Sequence, residues 1–123
     1  MTRNRTSAKK AGSTFEKQVA EYLAKHVDDR IERRARNGVK DRGDITGLRH
    51  MTQRVVVECK NTTRPSLATW ATEAEIERLN DDATSAVICH KRHGKGQPGE
   101  QWVTMTLKDF VSLLTGTRPD EEN

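Results

Sequence analysis

The residues best suited to chemistry in this chain are Glu58 and Lys60, because they carry charge within residues 54–60, the segment with the strongest apolar character. Residues two apart in a strand point to the same face, so these two would share one face while Val57 and Cys59 occupy the other. A carboxylate and an ammonium beside a core strand are costly unless they are paired or coordinated. The pattern therefore predicts either a ladder pair on an exposed sheet face or a binding site.

Asp44 supplies a second carboxylate at hairpin distance from Glu58. It follows Gly43 at the start of a short strand predicted at residues 45–48. Two converging carboxylates repel each other and raise the pKa of one of them unless a cation lies between them. Mg²⁺ prefers oxygen ligands and commonly uses one or two carboxylates together with substrate phosphates. We therefore predict a Mg²⁺ site on Asp44 and Glu58, with the backbone carbonyl of Cys59 available as a further ligand and Mn²⁺ able to substitute.

Glu16 is a third candidate acid. A hydroxyl at Ser13 or Thr14 followed by Glu16 is typical of a helix start, and the helix is expected to run to about residue 27. At about 100° per residue, Glu16 projects from the middle of an apolar stripe, so it is either the capping partner or an inward-facing functional acid. The stripe consists of Val19, Ala20, Leu23 and Val27.

The elements that must position these side chains follow from periodicity and turn residues. Strands are expected at residues 31–36, 45–48, 54–60, 86–89 and 101–105, with a turn at Asn37-Gly38. Residues 66–80 are expected to form two consecutive short helices with Thr72 as an internal cap. A last helix is capped by Thr106 and stopped by Gly116. The order α-β-β-β-α-β-β-α predicts a mixed α/β fold, with a central sheet covered by helices.

Length and composition fit one modest domain. The chain has 123 residues, of which 33% are hydrophobic and 33% are charged. That apolar fraction is lean for offsetting chain entropy, and a dimer that shares a core would relieve the shortage. We predict a basic flexible arm at residues 1–12, a single domain at residues 13–116 and an acidic tail at residues 117–123.

The formal charge of +4 is unevenly placed, since the first twelve residues contain lysines and arginines but no acid. Such an arm suggests a nucleic acid or an anionic membrane as partner, unless it only solubilises the chain. No apolar run resembles a signal peptide or a membrane span, and two cysteines are too few for a disulfide framework. A reducing cytoplasm is therefore expected. Cys89, His90 and His93 lack the second cluster that zinc would require.

Taken together, Glu16, Gly43-Asp44 and Glu58-Cys59-Lys60 resemble the PD-(D/E)XK nuclease superfamily, with Gly43 where the motif has proline. The pattern between residues 10 and 110 resembles the archaeal-type Holliday junction resolvases of that superfamily. The resemblance implies a restriction-endonuclease-like fold and Mg²⁺-dependent hydrolysis of DNA. It also implies that Asp44 and Glu58 bind metal, that Lys60 positions the attacking water, and that Glu16 binds a second ion or a metal-bound water.

Two basic stretches are candidates for phosphate contacts. The first precedes Asp44, a position that favours a phosphate-binding rim over a solvated charged face, with Arg36 and Arg42 expected to face the cleft. The second follows the strand at residues 86–89 and is either a second rim or a polar loop. Trp70 and Trp102 are expected in the core rather than as stacking platforms. The candidate DNA-binding residues are Arg33, Arg34, Arg36, Lys40, Arg42, Lys91, Arg92 and Lys95.

For substrate and assembly, the resemblance implies a four-way DNA junction cut by a homodimer, in a bacterial or phage-infected cell and without a membrane partner. The strand at residues 102–105 and the helix with Phe110 and Leu114 are the interface candidates, unless these side chains cap the monomer's own sheet. Two alternatives stay open. One is a nuclease acting on flaps, ends or single strands, and the other is a non-catalytic DNA-binding module on the same fold.

Overall fold

The computed structural model describes residues 4–35, 38 and 40–119. Arg36 and Asn37 lie outside these ranges, as do residues 120–123 of the predicted acidic tail. Three α-helices are described: α1 (Arg5–His26), α2 (Leu67–Asn80) and α3 (Leu107–Thr115), with a 3₁₀ turn at Pro98–Glu100. The strands are β1 (Glu32–Arg33), β2 (Ile45–Thr46), β3 (Arg49–His50), β4 (Gln53–Lys60), β5 (Ser85–His90) and β6 (Trp102–Thr104).

Among the described residues, the six strands form one mixed sheet in the order β1-β2-β4-β5-β6, with β3 paired to the beginning of β4. The β4–β5 pair is parallel, and the other pairs are antiparallel. The chain is therefore an α/β protein, as predicted. The predicted element order lacked β3, which forms a tight hairpin whose turn residues Met51 and Thr52 both have positive φ, at 52° and 66°. Such turns usually contain Asn or Gly, so the sequence carried no signal for this one.

Helix α1 begins earlier than predicted. Its N-cap is Asn4, whose side chain accepts a hydrogen bond from the Ser7 N–H, while the Ser7 hydroxyl accepts one from the Asn4 N–H. This capping box satisfies backbone N–H groups that would otherwise lack acceptors, so the helix begins at Arg5. The predicted start at Ser13 or Thr14 is wrong, and most of the predicted arm is helical. Glu16 therefore lies in the helix interior and cannot be the cap partner.

Helix α2 is one continuous helix, and the predicted break into two is wrong. The Thr72 hydroxyl donates to the Ala68 carbonyl one turn earlier, at 3.2 Å, so it does not act as an internal cap. Helix α3 agrees with the prediction at both ends. Thr106 caps its first turn, and Gly116 follows its last turn in a left-handed conformation.

The sheet separates two apolar clusters because alternate residues of β4 point to opposite faces. Val55, Val57 and Cys59 pack on the α1 side, and Val56 packs on the α2 side. Glu58 and Lys60 have the same parity as Val56, so they lie on the α2 side. Within the described ranges, no helix combines the length and the apolar character needed to cross a membrane.

Candidate metal centre and its cleft

Asp44 is held against β4 by backbone geometry that requires the preceding glycine. Gly43 has φ +94°, and a Cβ there would lie 2.8 Å from Val56 Cγ1 and 3.1 Å from the Val57 carbonyl oxygen. Proline cannot adopt this φ, so this backbone geometry requires the glycine that precedes Asp44. The Asp44 N–H donates to the Val57 carbonyl at 3.0 Å, and its Oδ2 accepts from the Cys59 N–H at 2.8 Å.

Glu58 is buried beside Asp44. Only 7% of the residue is exposed, and its side chain forms a hydrogen bond with that of Asp44. Burial, followed by the charge of Asp44, raises the pKa of Glu58 to about 10, so this carboxyl holds a proton at neutral pH when no cation is bound. Its Oε1 atom is buried and has no hydrogen-bond partner among the residues that the structure describes. The predicted convergence of Asp44 and Glu58 is therefore found.

Two further acids, which sequence reasoning missed, extend this pair. Carboxylate oxygens of Asp41, Glu58 and Glu77 lie within 4.8 Å of one another. Glu77, on α2, is 2% exposed and hydrogen bonds with the side chains of both Asp41 and Glu58. Burial, then the charge of Asp41, raises its pKa to about 8. The result is a continuous row of acids, Asp41, Glu77, Glu58 and Asp44, which we call the acidic row.

A sequence signal for Glu77 was present. Trp70, Ala74 and Glu77 recur at helical spacing, and all three are buried against the sheet. A glutamate on the apolar stripe of a helix is the same pattern that singled out Glu16. The expected break in α2 hid this pattern by ending the stripe before residue 77. Asp41 offered a weaker signal, as an acid three residues before Asp44.

Lys60 sits at the end of the acidic row between two glutamates. Its ammonium lies 3.5 Å from Glu58 Oε2 and 2.9 Å from Glu73 Oε1, and Glu73 is one turn before Glu77 on α2. Burial alone would lower the pKa of Lys60, but the bonds to Glu73 and Glu58 outweigh it and raise that pKa. Lys60 is thus a fixed cation beside Glu58, as the sequence predicts.

Glu16 lies on the other side of the sheet. Its carboxylate accepts from Arg33 at 3.2 Å, and its charge reaches the buried Cys59 thiol on the α1 face. The group of acids within 4.8 Å of one another, as found among the described residues, does not include it.

Cys59 has its N–H directed at Asp44, and its carbonyl lies on the same strand edge, because both groups of a strand residue point the same way.

Basic residues border the acidic row. Arg33, Arg34, Lys40 and Arg42 line a cleft of about 1050 Å³ whose wall also contains Asp41, Gly43 and Asp44. Four of the predicted DNA-binding residues therefore share one cleft with two members of the row. Arg36, predicted to face the same cleft, lies outside the described residues.

A neighbouring cavity of about 200 Å³ carries two arginines that sequence reasoning missed. Arg34, Arg42, Arg49 and Arg54 line it together with one acid, Asp81. Arg34 lies 3.5 Å from Asp81, and its buried Nε finds no hydrogen-bond partner in the described part of the chain. A buried donor that lacks an acceptor, among like charges, favours an anionic ligand. The pairing of Arg49 with Arg54 depends on the β3 hairpin, which the sequence did not predict.

The predicted second rim is partly engaged in local contacts. The Lys91 ammonium donates to the Lys95 carbonyl, and Lys95 lies 3.8 Å from Glu100. The Arg92 guanidinium lies 4.6 Å from the ring centre of Trp102. The expectation of two core tryptophans is right for Trp70, which is buried, and wrong for Trp102, which is 48% exposed.

The acidic row fits a hard divalent cation. Its donors are all oxygens and the site lies beside a basic cleft. Within the described ranges, the buried Oε1 atoms of Glu58 and Glu77 have no hydrogen-bond partner. Oxygen lone pairs in that position are satisfied by a cation such as Mg²⁺. The cysteines, by contrast, are both buried and free.

Comparisons of the chain with protein-family models, with curated proteins and with solved structures give no significant match.

Proposed function

We propose that this protein is a Mg²⁺-dependent endonuclease that hydrolyses phosphodiester bonds in DNA. The observation that carries the proposal is the burial of Glu58 between Asp44 and Glu77, with an unpartnered oxygen, at the edge of a cleft lined by arginines. A buried row of acids is costly in isolation and useful when a cation is bound. The acids alone would repel a polyanion such as DNA. The basic residues that border them attract it.

The resemblance to PD-(D/E)XK nucleases and to their restriction-endonuclease-like fold is part of this proposal. It is supported by the antiparallel pairing of β2 with β4, which sets Ile45 opposite Val57 and Asp44 beside Cys59. It is also supported by Glu58 and Lys60 sharing one face of β4. The structure adds Glu77 and Asp41 to the acids that the resemblance implies.

Asp41, Glu58 and Glu77, whose carboxylate oxygens lie within 4.8 Å of one another, would hold the cation together with Asp44, with the Cys59 carbonyl on the same strand edge. When bound, Mg²⁺ polarises a phosphate and lowers the pKa of a water. Lys60 contributes separately, as an ammonium fixed by Glu73 that stabilises negative charge developing on the phosphate and orients the attacking water. Arg34 and Arg42, with Arg49 and Arg54 in the adjoining cavity, would bind backbone phosphates and set the position of the strand.

Within this chemistry, we favour a junction-resolving homodimer. Leu107, Phe110 and Leu114 form one stripe of α3, and Phe110 and Leu114 are 45% and 62% exposed. This exposure favours the interface over the alternative in which they cap the monomer's own sheet. An exposed apolar stripe supports an interface, and a two-fold axis would place two sites on opposed strands.

Two measurements test the proposal. Cleavage of four-way junction, flap, duplex and single-stranded DNA is compared with Mg²⁺, with Mn²⁺ and with chelator, and we expect metal-dependent cleavage, fastest on the junction. Calorimetric titration of Mn²⁺ into the free protein measures metal binding independently of cleavage. Glu58→Gln should abolish this binding. A protein that neither binds metal nor cleaves would instead be a DNA-binding module.

Light scattering tests the assembly. The wild-type mass should be near twice 13.9 kDa, and Phe110→Glu should give folded monomers that nick junctions without paired cuts. Leu79→Ala, also at an exposed apolar position but outside both interface candidates, is the control. A wild-type monomer that prefers flaps or single strands would overturn the resolvase proposal and leave the nuclease proposal standing.

A further inference from the structure

A separate cavity of about 180 Å³ opens beside Lys60 on the α2 side of the sheet, and the metal chemistry does not use it. Trp102, at the beginning of β6, forms one wall, opposite His90 in the β5–β6 register. Trp70 and His90 line the cavity too, with ring centres 5.2 Å apart. The ring of His90 is also fixed by a 2.7 Å contact with the Thr104 hydroxyl. We call this the tryptophan cavity.

Trp102 is an unusual residue to leave half-exposed. Aromatic side chains at the surface of a folded domain commonly mark a binding surface when polar groups surround them. The Arg92 guanidinium over the indole fixes the ring and offers a second planar group of the kind on which bases stack. The wall is therefore ordered before any ligand arrives, which lowers the entropic cost of binding.

The charges at the tryptophan cavity indicate what kind of ligand it takes. Lys60, Lys91 and His93 line it with Trp102, and no acidic side chain is among its lining residues in the described part of the chain. An aromatic wall bordered by cations is the combination that binds a nucleotide through stacking of the base and attraction of the phosphate. A second copy of this chain would bring its own basic surface against these cations, which disfavours a protein partner here.

We propose that the tryptophan cavity binds an unpaired nucleobase, stacked on Trp102, of the strand whose phosphate lies at Lys60. This inference rests on the proposed nuclease function, because Lys60 belongs to both sites. A base in a continuous duplex is stacked and paired, so it cannot enter the cavity without being extruded. The protein should therefore prefer DNA with an unpaired or splayed nucleotide next to the cleavage position.

Binding measured in chelator tests this inference without requiring cleavage. The probes are two DNAs of equal length, one fully paired and one with a two-nucleotide bulge containing 2-aminopurine. Trp102→Ala should weaken binding to the bulged DNA by roughly 5- to 150-fold, the range expected for loss of one base–aromatic stack, and should leave duplex affinity nearly unchanged. Trp102→Phe, which keeps an aromatic face, should retain most of the preference, and 2-aminopurine fluorescence should be quenched only by proteins with an aromatic residue at 102.

Three controls make the result decisive. Val103→Ala, on the opposite face of β6, should change neither affinity. An abasic site in place of 2-aminopurine should remove the effect of Trp102→Ala.

Equal loss on both DNAs, or no loss, would overturn the inference. If Trp102→Ala instead halves the mass in light scattering and leaves base preference intact, the cavity is an interface between copies and the inference is wrong. Cleavage that persists without any preference for unpaired bases would refute this inference alone.

Discussion

Helices α1 and α2 pack on opposite faces of the sheet, and each directs a glutamate towards β4. The two glutamates have different neighbours. Glu16 on α1 accepts from Arg33, whereas Glu77 on α2 has Asp41 and Glu58 as neighbours. Helical spacing is the same in both cases, since each glutamate interrupts an apolar stripe. The Glu16 carboxylate is thus neutralised by Arg33, whereas the described neighbours that shift the pKa of Glu77 are acids, and there we propose Mg²⁺.

The largest expected contrast is between Glu58 and Glu16. Glu58→Gln should abolish Mg²⁺-dependent cleavage because the central oxygen ligand is lost, and Asp44→Asn should do the same. DNA binding should stay intact or tighten, since the basic cleft remains in both variants. Glu16→Gln should retain most activity, because Glu16 lies on the α1 side of the sheet and pairs there with Arg33.

Gel-shift and cleavage assays on the same preparations separate these outcomes. Loss of binding together with cleavage in Glu58→Gln would indicate misfolding. A loss in Glu16→Gln as complete as in Glu58→Gln would move Glu16 into the metal centre and remove the difference between the two faces.

Lys60 should give the next largest effect. Lys60→Ala removes a fixed cation beside the scissile phosphate and should lower the cleavage rate by about 10²-fold or more, with little loss of affinity. Lys60→Arg should not restore activity, because a planar guanidinium does not replace a compact ammonium between Glu58 and Glu73. Single-turnover rates measure the effect, and Lys17→Ala, on the exposed face of α1, is the control. Full activity in Lys60→Ala would exclude the proposed role.

The raised pKa values of Glu58 and Glu77 predict how the stability of the metal-free protein depends on pH. In the unfolded chain these groups ionise near pH 4.5, whereas folding raises their pKa values to about 10 and about 8. Between those limits the folded state holds more protons, so stability present at low pH is lost as pH rises. Each group contributes about 1.4 kcal/mol per pH unit at most.

Thermal unfolding between pH 6 and 8.5 in chelator checks this dependence, because carboxylates with lowered pKa values such as Asp28 titrate below that window. The melting temperature should fall with pH, and both saturating Mg²⁺ and the double variant Glu58→Gln, Glu77→Gln should flatten the curve. Glu16→Gln should leave the slope unchanged. A flat profile in the wild-type protein would mean that the acidic row is hydrated and ionised.

The smallest effects concern the basic border. Binding in chelator should weaken with salt, and removing Arg42 or Arg54 should each lower the slope of log K against log salt by about one, since each phosphate contact contributes about 0.9. We predict the same for Arg36. Arg30, exposed and paired with Asp28 at 2.7 Å, is the matched control and should not change the slope. A slope that none of these variants changes would mean that the arginines form only a solvated face.

The sequence by itself determined the chemistry of β4 and the general architecture. Three consecutive valines followed by Glu58-Cys59-Lys60 predicted a core strand with charged groups on one face, and Gly43-Asp44 at hairpin distance predicted the partner acid. The α/β class and both ends of α3 followed from periodicity and capping residues. These features are local, since strand parity, turn preference and capping depend on residues close together in the chain.

Only the tertiary structure decided which charges meet. Glu77 joins Glu58 because the parallel β4–β5 crossover lays α2 across β4, and Arg49 joins Arg54 through a hairpin with an unusual turn sequence. Helix α1 begins earlier than expected because the capping box at Asn4, which lies outside the apolar pattern, satisfies the first backbone N–H groups. Packing between distant segments sets the distances among like charges, and those distances turn separate acids into a candidate metal centre.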